Sequence, residues 1–359
     1  MEKLSSTRVL KAQSAKRMIS IRHQQGAALL LALLLVVIVG LSIFVAQLSP
    51  AAAKFAIEQR TQAALAQAKE ALIGRAAADN NRPGSLPCPD TDNDGFENGV
   101  AGNCTAYIGR LPYKTLRLDA LRDGNGELLW YAMSSALRDN TAAQPINTLT
   151  VTGLSLDAQA NMAAILFAPG QPLSGQNGRP GNNRSDYLDG TNAITANAFV
   201  SGPQSDTFND SVLGIGRDEL FRTVAKRVLA EIGGPDVSGA PANSPPDFGL
   251  RRYHADNGNI FPDADTDNDG WSNPGAMTGK LPWRNMTLPA TPTPPPASPL
   301  NPSVFEATAE GWLTANGWLP LVNYSILTVP TYQATLTLNG VSITVKPCAP
   351  LPLSQPCPQ

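Results

Sequence analysis

Residues 27–46 read AALLLALLLVVIVGLSIFVA, twenty positions without a charge. At about 1.5 Å per residue, a helix of that length reaches about 30 Å, the thickness of a bilayer's hydrocarbon core. The stretch therefore predicts a membrane span. Before it, residues 1–26 hold Lys3, Arg8, Lys11, Lys16, Arg17 and Arg22 against the single acid Glu2. A basic flank of this kind stays cytoplasmic and sends the chain beyond residue 50 across the membrane. A cleaved secretory signal is the competing reading, with Ala51-Ala52-Ala53 as its processing site. Such signals have apolar cores of about 7–15 residues, shorter than this one.

The composition agrees with export. The 359 residues are 42% hydrophobic and 16% charged, with 31 prolines and 30 glycines. That is fewer charges than the usual roughly 25%, and more Pro and Gly than average, as in a loop-rich extracytoplasmic protein. The length is enough to bury a core in one large or two modest domains. The net charge of −2 joins a +5 leader to a body carrying −7. Nothing in it offers the basic field that nucleic acid needs. Of two histidines, His23 lies in the leader and His254 in Arg251-Arg252-Tyr253-His254, read as a solvated loop position. No GxSxG, HExxH or P-loop occurs, so the expectation is a protein that is not an enzyme.

All four cysteines lie beyond the span. Cys88 and Cys104 bracket an Asp/Asn/Gly-rich loop, and Cys348 and Cys357 a proline-rich tail. An even count with local spacings points to two disulfides in an oxidising compartment. Zinc is the alternative, but no CxxC pair is present. Closing a loop the size of the first stabilises a fold by about 3 kcal/mol in the chain-entropy model.

The loop between the first two cysteines belongs to a duplication. Pro87-Cys88-Pro89-Asp90-Thr91-Asp92-Asn93-Asp94-Gly95-Phe96 recurs as Pro262-Asp263-Ala264-Asp265-Thr266-Asp267-Asn268-Asp269-Gly270-Trp271, identical at seven of ten positions. Gly109-Arg110-Leu111-Pro112-Tyr113-Lys114 then recurs as Gly279-Lys280-Leu281-Pro282-Trp283-Arg284. Asp-x-Asp-x-Asp-Gly is the front half of a calcium loop: alternate carboxylates turn toward a hard cation and the glycine permits the sharp bend. The candidate ligands are Asp90, Asp92 and Asp94, and Asp265, Asp267 and Asp269. Ala101 and Ala276 stand where an EF-hand has its bidentate glutamate, so neither loop is an EF-hand. Closing ligands must come from elsewhere, such as Glu97 or a backbone carbonyl in the first copy. Affinity is then expected on the order of 10⁻⁴–10⁻³ M. Solvated acidic turns are the alternative, since Asp, Asn and Gly favour turns anyway.

Elsewhere the pattern is mixed. Ala51–Ala78 reads as an amphipathic helix with Ile57, Leu65, Ala68 and Leu72 along one stripe. Leu128–Met133 and Ala163–Phe167 read as short buried strands or helix starts, and 169–186 as loop. Arg217–Ile232 reads as a core helix stopped by Gly233-Gly234-Pro235. Residues 288–302 hold seven prolines and suit an extended linker, and Thr335–Val345 alternates about Asn339-Gly340, a hairpin signal. The expected class is α+β. Its parts are a leader (1–26), a membrane half-helix (27–49), an amphipathic half-helix (50–80), a first repeat (81–240) and a second repeat (241–359).

The junction Arg22-His23-Gln24-Gln25-Gly26-Ala27-Ala28-Leu29-Leu30 resembles the leader of type IV prepilins and pseudopilins. The resemblance implies cleavage after Gly26 by the prepilin peptidase, leaving Ala27 as the methylated mature N-terminus. It also implies a long N-terminal helix, half in the membrane and kinked at Pro50, that packs into a filament with other pilins. Leu31 occupies the fifth mature position, where this class usually has glutamate. In that respect the chain is similar to minor subunits such as the pseudopilin at the tip of type II secretion filaments. Together with Gly109–Lys114, Phe167-Ala168-Pro169-Gly170 and Phe208-Asn209-Asp210, the pattern resembles a bacterial prepilin-like subfamily over most of residues 22–330. The function implied is a minor subunit of an inner-membrane filament system, with calcium and disulfides stabilising its periplasmic part. The other reading is a membrane-tethered, calcium-dependent periplasmic binding or adhesive module.

Overall fold

The computed structural model describes residues 12–47, 50–100, 102–140, 144–234, 249–256, 261–284, 311–327 and 333–346. The proline-rich stretch 288–302 and Cys348 and Cys357 lie outside the described residues. The class is α+β. The chain divides into a unit ending at Gln59 and a larger unit starting at Arg60.

The first unit is helical. Helix α1 (Ala12–Gln47) runs without a break through Gly26. Its stretch Gly26–Ile43 is long and apolar enough to cross a membrane, and none of it is buried. Helix α2 (Pro50–Ala78) opens on proline, whose missing N–H costs nothing in a first turn.

From Arg60 onward α2 belongs to the larger unit, where Leu65, Ala68, Leu72, Ile73 and Ala76 enter the main core. The stripe read from sequence is thus buried at Leu65, Ala68 and Leu72, while Ile57 stays partly exposed. The C-terminal carbonyls of α2 are capped by Arg227, which donates to Ala77 O at 2.7 Å and to Asp79 O.

Two sheets carry most of the unit. Strands β1 (Gly99–Val100) and β2 (Asn103–Cys104) form a small ribbon. The first sheet contains β3 (Ile108–Arg110), β4 (Trp130–Met133), β5 (Leu154–Leu156), β6 (Gln159–Ala168), β7 (Ala198–Phe199) and β8 (Ser211–Gly216). The second contains β9 (Thr278–Lys280), β10 (Asn323–Leu327), β11 (Gln333–Leu338) and β12 (Val341–Val345). Helix α3 (Gly190–Ile194) lies in the long connection between β6 and β8.

The sheets reveal a duplication larger than the two sequence blocks. Antiparallel ladders run β3-β4-β6-β8 in one and β9-β10-β11-β12 in the other. The registers coincide: Gly109, Tyr131, Leu166 and Leu213 stand side by side in the first, and Gly279, Tyr324, Leu336 and Ile343 in the second. Tyr131 Oη donates to Pro87 O at 3.2 Å, and Tyr324 Oη to Pro262 O at 2.9 Å. The first copy adds β5, β7 and a long excursion, whereas the second closes β11 to β12 with the Asn339-Gly340 turn. Both turn residues have positive φ (49° and 73°), the geometry that matches strand twist in a tight hairpin.

Helix α4 (Arg217–Gly233) packs on β6 and β8 of one sheet and on β11 and β12 of the other. Leu220, Phe221, Val224, Val228, Leu229 and Ile232 are fully buried there, each stabilising by about 2 kcal/mol on the transfer scale. Gly234 (φ 87°) then ends the helix. His254 departs from expectation: it lies in helix α5 (Gly249–Asp256), buried against Phe261 with ring centroids 4.7 Å apart. The apolar contact with a residue seven positions on was not visible as a local pattern.

Helix α6 (Trp312–Ala315) is followed by a buried tie. Asn316 Oδ1 accepts from Ile146 N at 3.1 Å, and its Nδ2 donates to Asn81 O at 3.1 Å and Trp312 O at 2.9 Å. Its carbonyl accepts from Asn147 Nδ2 at 2.7 Å.

Candidate metal centres and a buried carboxylate pair

The two acidic loops share most of their internal wiring. Asp90 and Asp265 are almost fully buried, and each holds its own loop together. Asp90 Oδ1 accepts from Asn93 N (2.7 Å) and Asp92 N (3.2 Å), and its Oδ2 from Gly95 N (2.8 Å). Asp265 Oδ1 accepts from Asn268 N (2.6 Å), and its Oδ2 from Gly270 N (2.8 Å). Asn93 and Asn268 are left-handed (φ 70° and 62°), a region asparagine tolerates better than most side chains. The side chains of Asn98 and Asn273 brace the loops by accepting from the backbone N–H of Thr91 and Thr266, each at 2.6 Å.

Each loop then leaves two exposed carboxylates beside the buried one. In both triads one carboxylate oxygen from each residue lies within 4.8 Å of the other two. Oxygens that share one calcium ion at about 2.3–2.6 Å stand at most about 5 Å apart. Either triad can therefore reach a single metal ion, with the remaining positions filled by water or carbonyl oxygen. Burial pushes the Asp90 carboxyl above its ordinary range, and the neighbouring Asp92 charge adds to this, against the three backbone N–H donors. Glu97, a candidate closing ligand, spends Oε2 on Cys88 N at 3.0 Å.

The loops are tethered differently. Cys88 and Cys104 form a disulfide. In the second copy Asp263, at the position of Cys88, accepts from Gly275 N at 2.8 Å. In both, the second sequence block pins the loop to a strand: Asp90 and Arg110 exchange backbone bonds of 2.9 and 2.7 Å, and Asp265 and Lys280 bonds of 3.0 and 2.6 Å. That exchange explains Gly109 and Gly279. A Cβ on either would stand 2.5 Å from Asp90 O or 2.1 Å from Asp265 O.

Sequence reading missed a second constellation, in the excursion between β6 and β8. Asp189 and Asp210 are buried and clasp one another. Asp210 Oδ2 accepts from Asp189 N (3.0 Å) and Asn192 Nδ2 (2.9 Å), while Asp189 Oδ2 accepts from Asn209 N (2.7 Å) and Asp210 N (3.2 Å). Asp189 Oδ1 accepts from Gln176 Nε2 at 2.8 Å. Beside them Arg179 pairs with Glu127 at 3.1 Å and stacks 4.7 Å from the Tyr187 ring. Asp210 Oδ1 has no hydrogen-bond partner among the described residues. Burial pushes the Asp210 carboxyl up to about 7, with the Asp189 charge adding to the rise and Arg179 opposing it. Phe208-Asn209-Asp210 was a visible motif, but nothing in its spacing pointed to Asp189.

Compared with family models, curated proteins and solved structures, the chain finds no match.

Proposed function

We propose that the chain is a minor pilin-like or pseudopilin-like subunit, a structural protein of an inner-membrane filament system rather than an enzyme. The observation that carries this reading is α1. Large apolar side chains from Leu29 to Ile43 are exposed all round the helix, directly after a basic run ending in Gly26. Such a surface needs lipid or neighbouring helices to cover it. In this reading Gly26–Ala27 is the bond cut by the prepilin peptidase, and the unit from Arg60 onward is periplasmic. An oxidising periplasm suits the Cys88–Cys104 disulfide. Mass spectrometry of the mature chain is expected to find Ala27 at the N-terminus, and full length when the peptidase is deleted. An intact Met1, or a cut after Ala53, would count against filament assembly.

The same reading makes the acidic triads calcium sites that fasten the loops. Titrating the detergent-solubilised chain with calcium is expected to show two weak sites, with Kd on the order of 10⁻⁴–10⁻³ M. Asp92→Asn weakens one site and Asp267→Asn the other, each by about tenfold. Absence of saturable heat at millimolar calcium would remove the metal from the account. The shared wiring of both loops also supports a second reading, a membrane-tethered calcium-dependent binding module, which an N-terminus other than Ala27 would favour.

A further inference from the structure

The first sheet forks, and the fork leaves a crevice. β8 occupies one edge of β6 along residues 162–168. The other edge is shared end to end: β4 pairs with residues 164–167, and β5 with residues 159–162. β3 lies outside β4 and β7 outside β5, so the two strand pairs diverge along that edge. The chain leaves β4 through Met133-Ser134-Ser135 and enters β5 through Gly153-Leu154. Between them lies a cavity of about 410 Å³, in the size range of small-ligand sites.

Its lining is apolar at Ile108 and Leu154, with Tyr107, Ser135 and Asn197 as polar neighbours and Arg184 as the one charged group. Arg184 Nε donates to Ala193 O at 2.6 Å, which fixes the plane of the guanidinium. Its terminal nitrogens make no hydrogen bond or ion pair among the described residues. Burial pulls this guanidinium below its ordinary value, so it has already shed part of its water. A fixed, partly desolvated fork with free N–H groups matches a carboxylate in a bidentate pair.

We propose that this crevice binds a carboxylate bearing an apolar body, with Arg184 clamping the carboxylate and Ile108 and Leu154 receiving the apolar part. One cation matches a monoanion, while a phosphate dianion would leave a charge unmatched in this lining. The carboxylate can belong to a free organic acid or to the last residue of an extended peptide, two sources of one chemistry.

The test is calorimetry on the full chain in detergent and calcium-free buffer, so that carboxylates cannot report through the acidic loops. The probes are N-acetyl-leucine, N-acetyl-leucinamide and a tripeptide ending in leucine with a free carboxylate. Both carboxylates are expected to bind saturably, and the amide about thirtyfold more weakly or worse. Arg184→Met should lose the same factor and Arg184→Lys recover part of it. Ser135→Trp, at an exposed position on the rim, should abolish binding while the melting temperature stays unchanged. Tighter binding of the tripeptide assigns the site to a chain terminus, and equal binding to a free acid. The proposal is overturned if the amide binds as well as the acid, if Arg184→Met keeps its affinity, or if no saturable heat appears by about 10 mM. None of these outcomes bears on the N-terminus or on calcium.

Discussion

Asp210→Asn should make the protein more stable at pH 8 and leave it unchanged at pH 4. The buried carboxyl titrates at about 7 in the fold and near 3.8 in its ordinary state. Its folded value is raised, so below about pH 4 both states hold the proton and stability is whole. As the pH climbs through that window the unfolded chain ionises first, and stability falls until the folded group also ionises near 7. The loss over that span amounts to about 4 kcal/mol. Asparagine imitates the protonated acid and keeps an oxygen for Asp189 N and the Asn192 amide. Urea unfolding across pH 4–8 is expected to show the wild-type curve dropping away from the variant, with a gap of about 2–4 kcal/mol at pH 8. Parallel curves would mean that Asp210 is ionised throughout and that Arg179 outweighs burial.

Gly279→Ala should be among the most damaging single substitutions in the chain. Its new methyl would lie 2.1 Å from Asp265 O, a backbone atom that cannot rotate away. Relief requires pulling the acidic loop off β9, which breaks the paired bonds between Asp265 and Lys280 and uncovers buried Asp265. The cost should be about 3 kcal/mol or more. Gly109→Ala is the same experiment in the first copy, at 2.5 Å from Asp90 O. Gly74→Ala is the control: it lies exposed in α2 with nothing within 4 Å of the added carbon. There alanine should stabilise by about 0.5–1 kcal/mol. Melting temperatures of the three variants decide the matter. Equal behaviour of Gly279→Ala and Gly74→Ala would show that the loop does not need its close approach to the strand.

These two cases mark how far the sequence could be read. The apolar helix, α4 and the Asn339-Gly340 hairpin were legible because each rests on short-range periodicity or turn chemistry. The acidic triads were legible because calcium-type ligands alternate within five residues. The glycines of the second block were visible as repeated letters, but their reason is a backbone contact across 14 to 19 residues. Tyr131 and Tyr324 were harder still. Their neighbours, Trp130-Tyr131-Ala132-Met133 and Asn323-Tyr324-Ser325-Ile326, share only the tyrosine. Their equivalence shows in the register of the ladders, which alternation constrains only loosely in β4, buried on both faces, although β10 alternates. Asp189 and Asp210 were invisible because a clasp between loops has no period at all.

The amide of Asn316 has a consequence for how the chain reaches its fold. It joins Ile146, 170 positions earlier, to Asn81, 235 positions earlier. Each ladder joins positions no more than 54 residues apart, the separation of Met162 and Gly216, so it can form early at smaller entropic cost. The Asn316 junction closes loops several times longer, so it should form late. The duplicated sheets, however alike, are therefore not two autonomous folding units. An early intermediate would hold preformed meanders with Phe221 and Trp318, now 5.8 Å apart in the shared core, not yet in contact.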